Sequence, residues 1–375
     1  MLDARDSLLL PGFVDCHVHF PQVRMIGAMG LELMDWLRLR ALPEEARLAD
    51  TAYAREVADE FVRGLAAAGT TTALVFGSHF PGAQAALFRA ALDRGLRVAS
   101  GLVVSDHGLL PSLHVSAETA WEFSRELIEY WHGRGLLRYA VTPRFSASCT
   151  EEMLSMCGDL FADADDLLFT THLNETLDEI SLVRSTFPWA RDYLETYERF
   201  DLLGSRSVFA HNVHPTDDEL RRLGSAGACV AHCPSSNAFL GSGLFPMRRH
   251  VEAGVRVALG SDVGAGTGFG VLKEGLMAYS MQMLLAGEGV RLGPAELLWL
   301  ATGAGAAGLG LADEVGDFSV GKSADFVLVR PPAGSTLAAV LDRSESMEEA
   351  LGAVFTLARE ESIAEVRVAG EVVWP

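Results

Sequence analysis

Five side chains of the metal-binding kind stand on four separated hydrophobic runs: His17 and His19 in LPGFVDCHVH, His172 in FTTHLNE, His211 in SVFAHN and Asp262 in VRVALGSD. Imidazole and carboxylate together hold Zn²⁺ or Fe²⁺ while leaving a position for water, which is the donor set of a one-metal hydrolase. The His-x-His pair is the most informative part. On an extended strand, residues i and i+2 face the same side, so His17 and His19 can chelate one ion while Val18 packs behind them. Each residue has a plainer role to set beside this. Two histidines on a strand are often surface or packing residues, and an aspartate before GAGTGFG could simply cap a helix. It is the joint placement of His17, His19, His172, His211 and Asp262 at the ends of apolar runs that favours the metal.

The elements that must position them follow from an alternation of short apolar runs with longer helix-period segments, the signature of βα units around a parallel sheet. Eight such runs are counted: LLLPGFVD near 8–15, TTTALVF near 70–76, RVASGLVV near 97–104, RYAVTPRF near 138–145, LLFTTHL near 167–173, SVFAHN near 207–212, CVAHCP near 229–234 and RVALGSD near 256–262. Eight parallel strands close a barrel, and in such a barrel catalytic groups project from the C-terminal strand ends. Between them, the stretches from Tyr53 to Gly69 and from Ala117 to Gly135 have apolar positions at three and four and end on glycine, as helices do. The last part, VGDFSVGKSADFVLVRP and SIAEVRVAGEVVWP, reads as short strands with glycine turns. The expectation is an α/β chain with a (β/α)8 TIM-type barrel over 9–312. A small β appendage would be built from the termini, 1–8 and 313–375.

Composition narrows the function. The 375 residues are 49% hydrophobic, enough for a large core. A formal charge of −20 argues against nucleic acid, which needs a cationic footprint. Five scattered cysteines with no CxxC pair suggest neither disulfides nor a thiolate zinc site. No secretory leader opens the chain and no apolar run is long enough for a bilayer, so a cytoplasmic protein without membrane partners is expected.

The same residues carry a resemblance. HVH after PGFVD, single histidines on the fifth and sixth runs, GSD on the eighth and the VGKSADFVLV tail resemble the amidohydrolase superfamily. HVHFPQ from His17 to Gln22, TPRFSASC from Thr142 to Cys149, HLNE from His172 to Glu175 and AHCPSSN from Ala231 to Asn237 are similar, more narrowly, to the guanine deaminases. That resemblance implies hydrolytic deamination of guanine to xanthine and ammonia by a metal-bound hydroxide, in purine catabolism or salvage. One divalent ion per chain, zinc first and iron as the alternative, would be held by His17, His19, His172 and Asp262, with His211 close to the bound water. Asp262, His211 and Glu175 would be catalytic, Glu175 passing a proton to the ring nitrogen beside the attacked carbon. Gln22, Arg144, Phe145, His172 and Glu175 would contact a free purine base. It also implies a homodimer.

The family's small β domain normally draws strands from a longer N-terminal stretch, so here it is expected to be incomplete on that side. Rival readings keep the metal site for another aminated or chlorinated heterocycle (a triazine, an oxidised guanine or a pterin), or keep only a non-catalytic barrel scaffold. His232 and Cys233 are expected to pack near the site, and Met277, Met281 and Met283 to form a core helix face. His214 has no assignable place.

Overall fold

Two sheets organise the computed structural model, which describes residues 5–375; residues 1–4 of the 1–8 stretch expected in the appendage lie outside the described residues. The strands, in chain order, are β1 (Leu8–Pro11), β2 (Phe13–His19), β3 (Thr70–Phe76), β4 (Arg97–Ser100), β5 (Val103–Val104), β6 (Leu137–Pro143), β7 (Leu168–Leu173), β8 (Ser207–His211), β9 (Cys229–His232), β10 (Arg256–Leu259), β11 (Phe326–Val329), β12 (Ile363–Val368) and β13 (Glu371–Trp374). The larger sheet runs β2-β3-β4-β6-β7-β8-β9-β10, every pair parallel, with the short β5 also on β6. Beyond the end of β10 the chain returns to β2: Asp262 N–H donates to the His17 carbonyl at 2.8 Å and His19 N–H to the Val263 carbonyl at 3.0 Å. The fold is thus an eight-stranded (β/α)8 barrel, and its seam is stitched at residues of the expected ligand set.

The strands lack the apolar/polar alternation of half-buried sheets because helices cover them outside and side-chain layers fill them inside. β2 and β3 are buried at every position. The expected helices form at Thr51–Ala67 and Ala117–Trp131. Asp50 caps the first by accepting from Ala52 N at 2.8 Å, and Ser116 caps the second by accepting from Thr119 N. Ala54, Val57, Ala58, Phe61, Val62 and Leu65 turn one stripe of the first helix inward, the spacing of an amphipathic helix.

Two runs taken as single strands are divided. LLLPGFVD is β1 and β2 with a break at Gly12, whose N–H donates to the Asp325 carbonyl at 2.9 Å; β1 leaves the barrel and pairs antiparallel with β11, Leu8 opposite Val329. RVASGLVV is interrupted at Gly101, where a Cβ would lie 1.8 Å from the Ala140 carbonyl oxygen, too close for any side chain. The smaller sheet is antiparallel in the order β1-β11-β12-β13. VGDFSVGK contributes turns, not a strand, and the helices Thr336–Leu341 and Met347–Leu357 lie between β11 and β12. Of the expected methionine face, Met281 is buried but Met283 is exposed, so that helix side is open to solvent. The five cysteines are free and buried, and among the described residues no helix is long and apolar enough to cross a membrane.

Candidate active site

β2 delivers His17 and His19 to one side of the barrel mouth, β7 delivers His172, β8 ends on His211, and Asp262 follows β10 by three residues. Their donor atoms converge. His17 Nε2 lies 3.1 Å from His19 Nε2, and His19 Nε2 lies 3.3 Å from His172 Nε2. Asp262 Oδ1 lies 3.4 Å from His17 Nε2 and 3.2 Å from His19 Nε2. A tetrahedral ion with ligands at about 2.0–2.1 Å has edges of about 3.3 Å, so these separations are those of a ligand shell. His17, His172 and His211 form a second close set with donor atoms within 4.8 Å of one another. His211 Nε2 stands 3.6 Å from Glu175 Oε2 and 3.8 Å from Asp262 Oδ2.

The ring orientations are set from behind. His172 Nδ1 donates to the Arg144 carbonyl at 2.6 Å, and His211 Nδ1 to Asn237 Oδ1 at 3.0 Å, which leaves each Nε2 lone pair facing the group. Burial lowers the His17 pKa and carries that of His19 to about 4, so both are neutral imidazoles at pH 7. Burial alone would raise the Asp262 pKa, but its hydrogen bonds to His17 and His19 hold it well below the usual carboxylate range. Neutral imidazoles around an ionised carboxylate fit a divalent cation.

Asp15 anchors the seam from below. Its Oδ1 accepts from His17 N at 3.2 Å and Ser261 N at 3.0 Å, and its Oδ2 accepts from Ser261 Oγ at 2.5 Å. The backbone pays locally for this arrangement: Asn174, His211, Asn212 and Asp262 hold φ of 49°, 70°, 47° and 49°. These left-handed conformations cost non-glycine residues free energy and recur at functional sites.

A pocket opens over the group, lined by Gln22, Arg144, Phe145, Glu175 and Glu179, with Leu33, Trp36 and Leu240 on its apolar side. Every residue expected to touch substrate is therefore at one place. Glu175 accepts from Ser242 Oγ at 3.3 Å, and burial followed by the Asp262 charge raises its pKa to about 8. Glu179, one turn on, accepts from Glu175 N at 2.9 Å. Gln22 lines the pocket with its amide engaged: Nε2 donates to Glu45 Oε1 at 2.8 Å, and Oε1 accepts from Gly264 N at 3.1 Å. Arg144 Nη1 donates to Glu45 Oε2 at 2.5 Å.

Glu45, Trp36, Asn237, Asp15 and Ser242 were not singled out from sequence. Asn237 and Asp15 sit inside quoted motifs and could have been found there. Glu45 gives no such signal, because PEEA looks like an ordinary acidic first turn. His232 stacks on Phe245 with ring centroids 4.2 Å apart, and His214 Nε2 donates to the Ser242 carbonyl at 2.7 Å, beside the loop that touches Glu175.

The amidohydrolase family model matches residues 8–373. The chain belongs to the amidohydrolase family. Within that family, it is 58% identical over 372 residues to a probable guanine deaminase of Deinococcus radiodurans, an alignment covering 99% of this chain and 85% of that one. Among solved structures, the guanine deaminase of E. coli superposes with a TM-score of 0.96 at 41% identity, covering 98% of this chain and 85% of that one. The guanine deaminase of C. acetobutylicum, with guanine bound in its active site, superposes at 0.93 with 27% identity, covering 100% of this chain and 88% of that one.

Proposed function

We propose that the chain hydrolyses the exocyclic amine of guanine, giving xanthine and ammonia. The observation that carries this reading is the pocket itself: a buried His/Asp ligand group, a protonatable Glu175 and an Arg144–Gln22 wall lie together in a family member with close guanine deaminase relatives. A Zn²⁺ ion held by His17, His19, His172 and Asp262, with His211 alongside, would supply hydroxide at neutral pH by lowering the pKa of water from about 15.7 to about 7.

The remaining steps fall to the side chains. Arg144 offers N–H donors in a fixed fork to the ring carbonyl, and Phe145 packs against the base face. These contacts orient C2 toward Asp262 Oδ2 and His211 Nε2. Asp262 takes a proton from the attacking water. Glu175, whose carboxyl holds a proton up to about pH 8, donates at the ring nitrogen beside C2. Asp262 hands the proton it took from water to the departing amine, which leaves as ammonia, while the C2 hydroxyl returns a proton to Glu175 as it becomes the carbonyl of xanthine; each positioned transfer is worth roughly 10²- to 10⁴-fold. The apolar side formed by Leu33, Trp36 and Leu240 keeps bulk water from the carbon under attack. Adenine, lacking the carbonyl, leaves buried donors unpaired and is rejected.

The test is ammonia release from guanine by the purified zinc-loaded protein, with Asp262→Ala as control and adenine, cytosine and an oxidised guanine in parallel. Release from guanine that disappears in the control is expected. Silence on guanine with one metal bound per chain would sink the assignment.

A further inference from the structure

Glu45 lies on the short helix Leu42–Ala46 and is 2% exposed, whereas its neighbour Glu44 faces Tyr53 and Arg47 near the surface. Its carboxylate does not line the pocket, yet it holds two residues that do. Oε1 accepts from Gln22 Nε2 at 2.8 Å and Oε2 from Arg144 Nη1 at 2.5 Å, partners 23 and 99 positions away in the chain. Two other titratable groups face it: His79, with Nε2 3.5 Å from Oε2 and a pKa that burial lowers, leaving it neutral, and His19, which stands behind Gln22 with Nδ1 3.2 Å from Gln22 Nε2. The wall that faces the base therefore carries one guanidinium and one carboxylate, which cancel.

We propose that Glu45 is the positioning residue of base recognition: it fixes Arg144 and Gln22 and cancels the guanidinium charge, so that the pocket takes a neutral purine lactam and disfavours purine anions. This rests on the guanine reading above. An arginine aimed into a dry pocket without a counter-charge is a strong anion site. The same arginine saturated by a carboxylate on its far side keeps its donor geometry but offers little net charge. A neutral amide at position 45 would break both functions, since its single oxygen cannot serve Gln22 and Arg144 together and it carries no charge. An ion pair that only held the fold together would be indifferent to the charge of the ligand.

The experiment compares wild type, Glu45→Gln and Glu45→Asp, each zinc-loaded. It measures kcat and KM for guanine, and calorimetric affinities for urate, an anion at neutral pH, and hypoxanthine, a neutral lactam. In Glu45→Gln the guanine KM is expected to rise tenfold or more with kcat within about threefold, the pattern of lost uniform binding. The urate-to-hypoxanthine affinity ratio is expected to rise at least tenfold. In Glu45→Asp the charge remains, so that ratio stays at the wild-type value while KM rises as the shorter side chain draws Arg144 and Gln22 back. An unchanged ratio in Glu45→Gln, or a raised ratio in Glu45→Asp, overturns the proposal. Should Glu45→Gln not fold, an unchanged guanine KM in Glu45→Asp overturns it as well. A wild type that binds hypoxanthine over urate but does not turn over guanine would instead fail the guanine reading, so the two failures are separable.

Discussion

Replacing Gly260 with alanine puts a methyl group where the barrel seam has no room. A Cβ there would lie 2.8 Å from His17 Cβ, 2.9 Å from Cys233 Sγ and 3.0 Å from the His17 carbonyl oxygen. Carbon atoms in contact sit about 3.5–4.0 Å apart, so His17 Cβ must retreat by about 1 Å. It cannot do so by a rotamer change, because His17 Cβ and its carbonyl oxygen are fixed to the backbone of β2, and only Cys233 Sγ can turn aside. Overpacking of this kind costs about 1–3 kcal/mol. The displaced strand carries His17 and His19, and a 1 Å misplacement of catalytic groups is worth about 100-fold in rate. Gly260→Ala should therefore melt below wild type, bind zinc more weakly and release ammonia from guanine about two orders of magnitude more slowly. Thermal melts, metal content after dialysis and ammonia release measure the three. Gly287→Ala, at a site with nothing within 4 Å, is the control and should behave as wild type. Wild-type metal retention and turnover in Gly260→Ala would refute the argument that the seam has no slack.

Glu175→Gln removes the proposed proton donor but keeps its shape, and kcat should fall roughly 10²- to 10⁴-fold with KM nearly unchanged; a large rise in KM alone would place Glu175 in binding instead. Stripping the metal with a chelator should lower the melting temperature as well as abolish activity, because an ion bound only by the folded chain stabilises it by about 4 kcal/mol at a thousand times its Kd. Zinc should restore both, and a melt indifferent to chelation would count against the ligand group. Glu274 is fully buried on the helix Val271–Leu284, accepts from Ser235 N at 2.9 Å and has its pKa raised by burial from 4.5 to about 8. Between those values the unfolded chain sheds this proton while the folded chain keeps it, so the residue's contribution to stability falls as pH rises, by about 1.4 kcal/mol per unit. Glu274→Gln can still accept from Ser235 N without titrating. Its stability advantage in urea should grow from near zero at pH 4.5 to about 3 kcal/mol at pH 7, and a gap that does not change with pH would refute the assignment.

What could be read from the chain and what could not divide along a physical line. His17, His19, His172, His211 and Asp262 were legible because each ends an apolar run, and in a parallel barrel run ends converge without further information. The eight runs were legible for the same reason, since strands buried on both faces leave continuous hydrophobic stretches. The errors at Gly12 and Gly101 arose where apolar character continues across a break in pairing. Composition cannot distinguish β1, turned out to meet β11, from the start of β2. Glu45 failed differently. Its local context predicts an exposed first-turn carboxylate; Glu44 is partly exposed beside Tyr53 and Arg47, and only the tertiary approach of Arg144 and Gln22 makes the next residue a buried counter-charge. Side chains able to hold a metal announce themselves by residue type, because few side chains can do that work. Residues that orient those ligands or neutralise their neighbours are ordinary Asp, Glu, Asn and Ser, and what marks Asp15, Glu45, Asn237 and Ser242 is a partner many residues away in the chain.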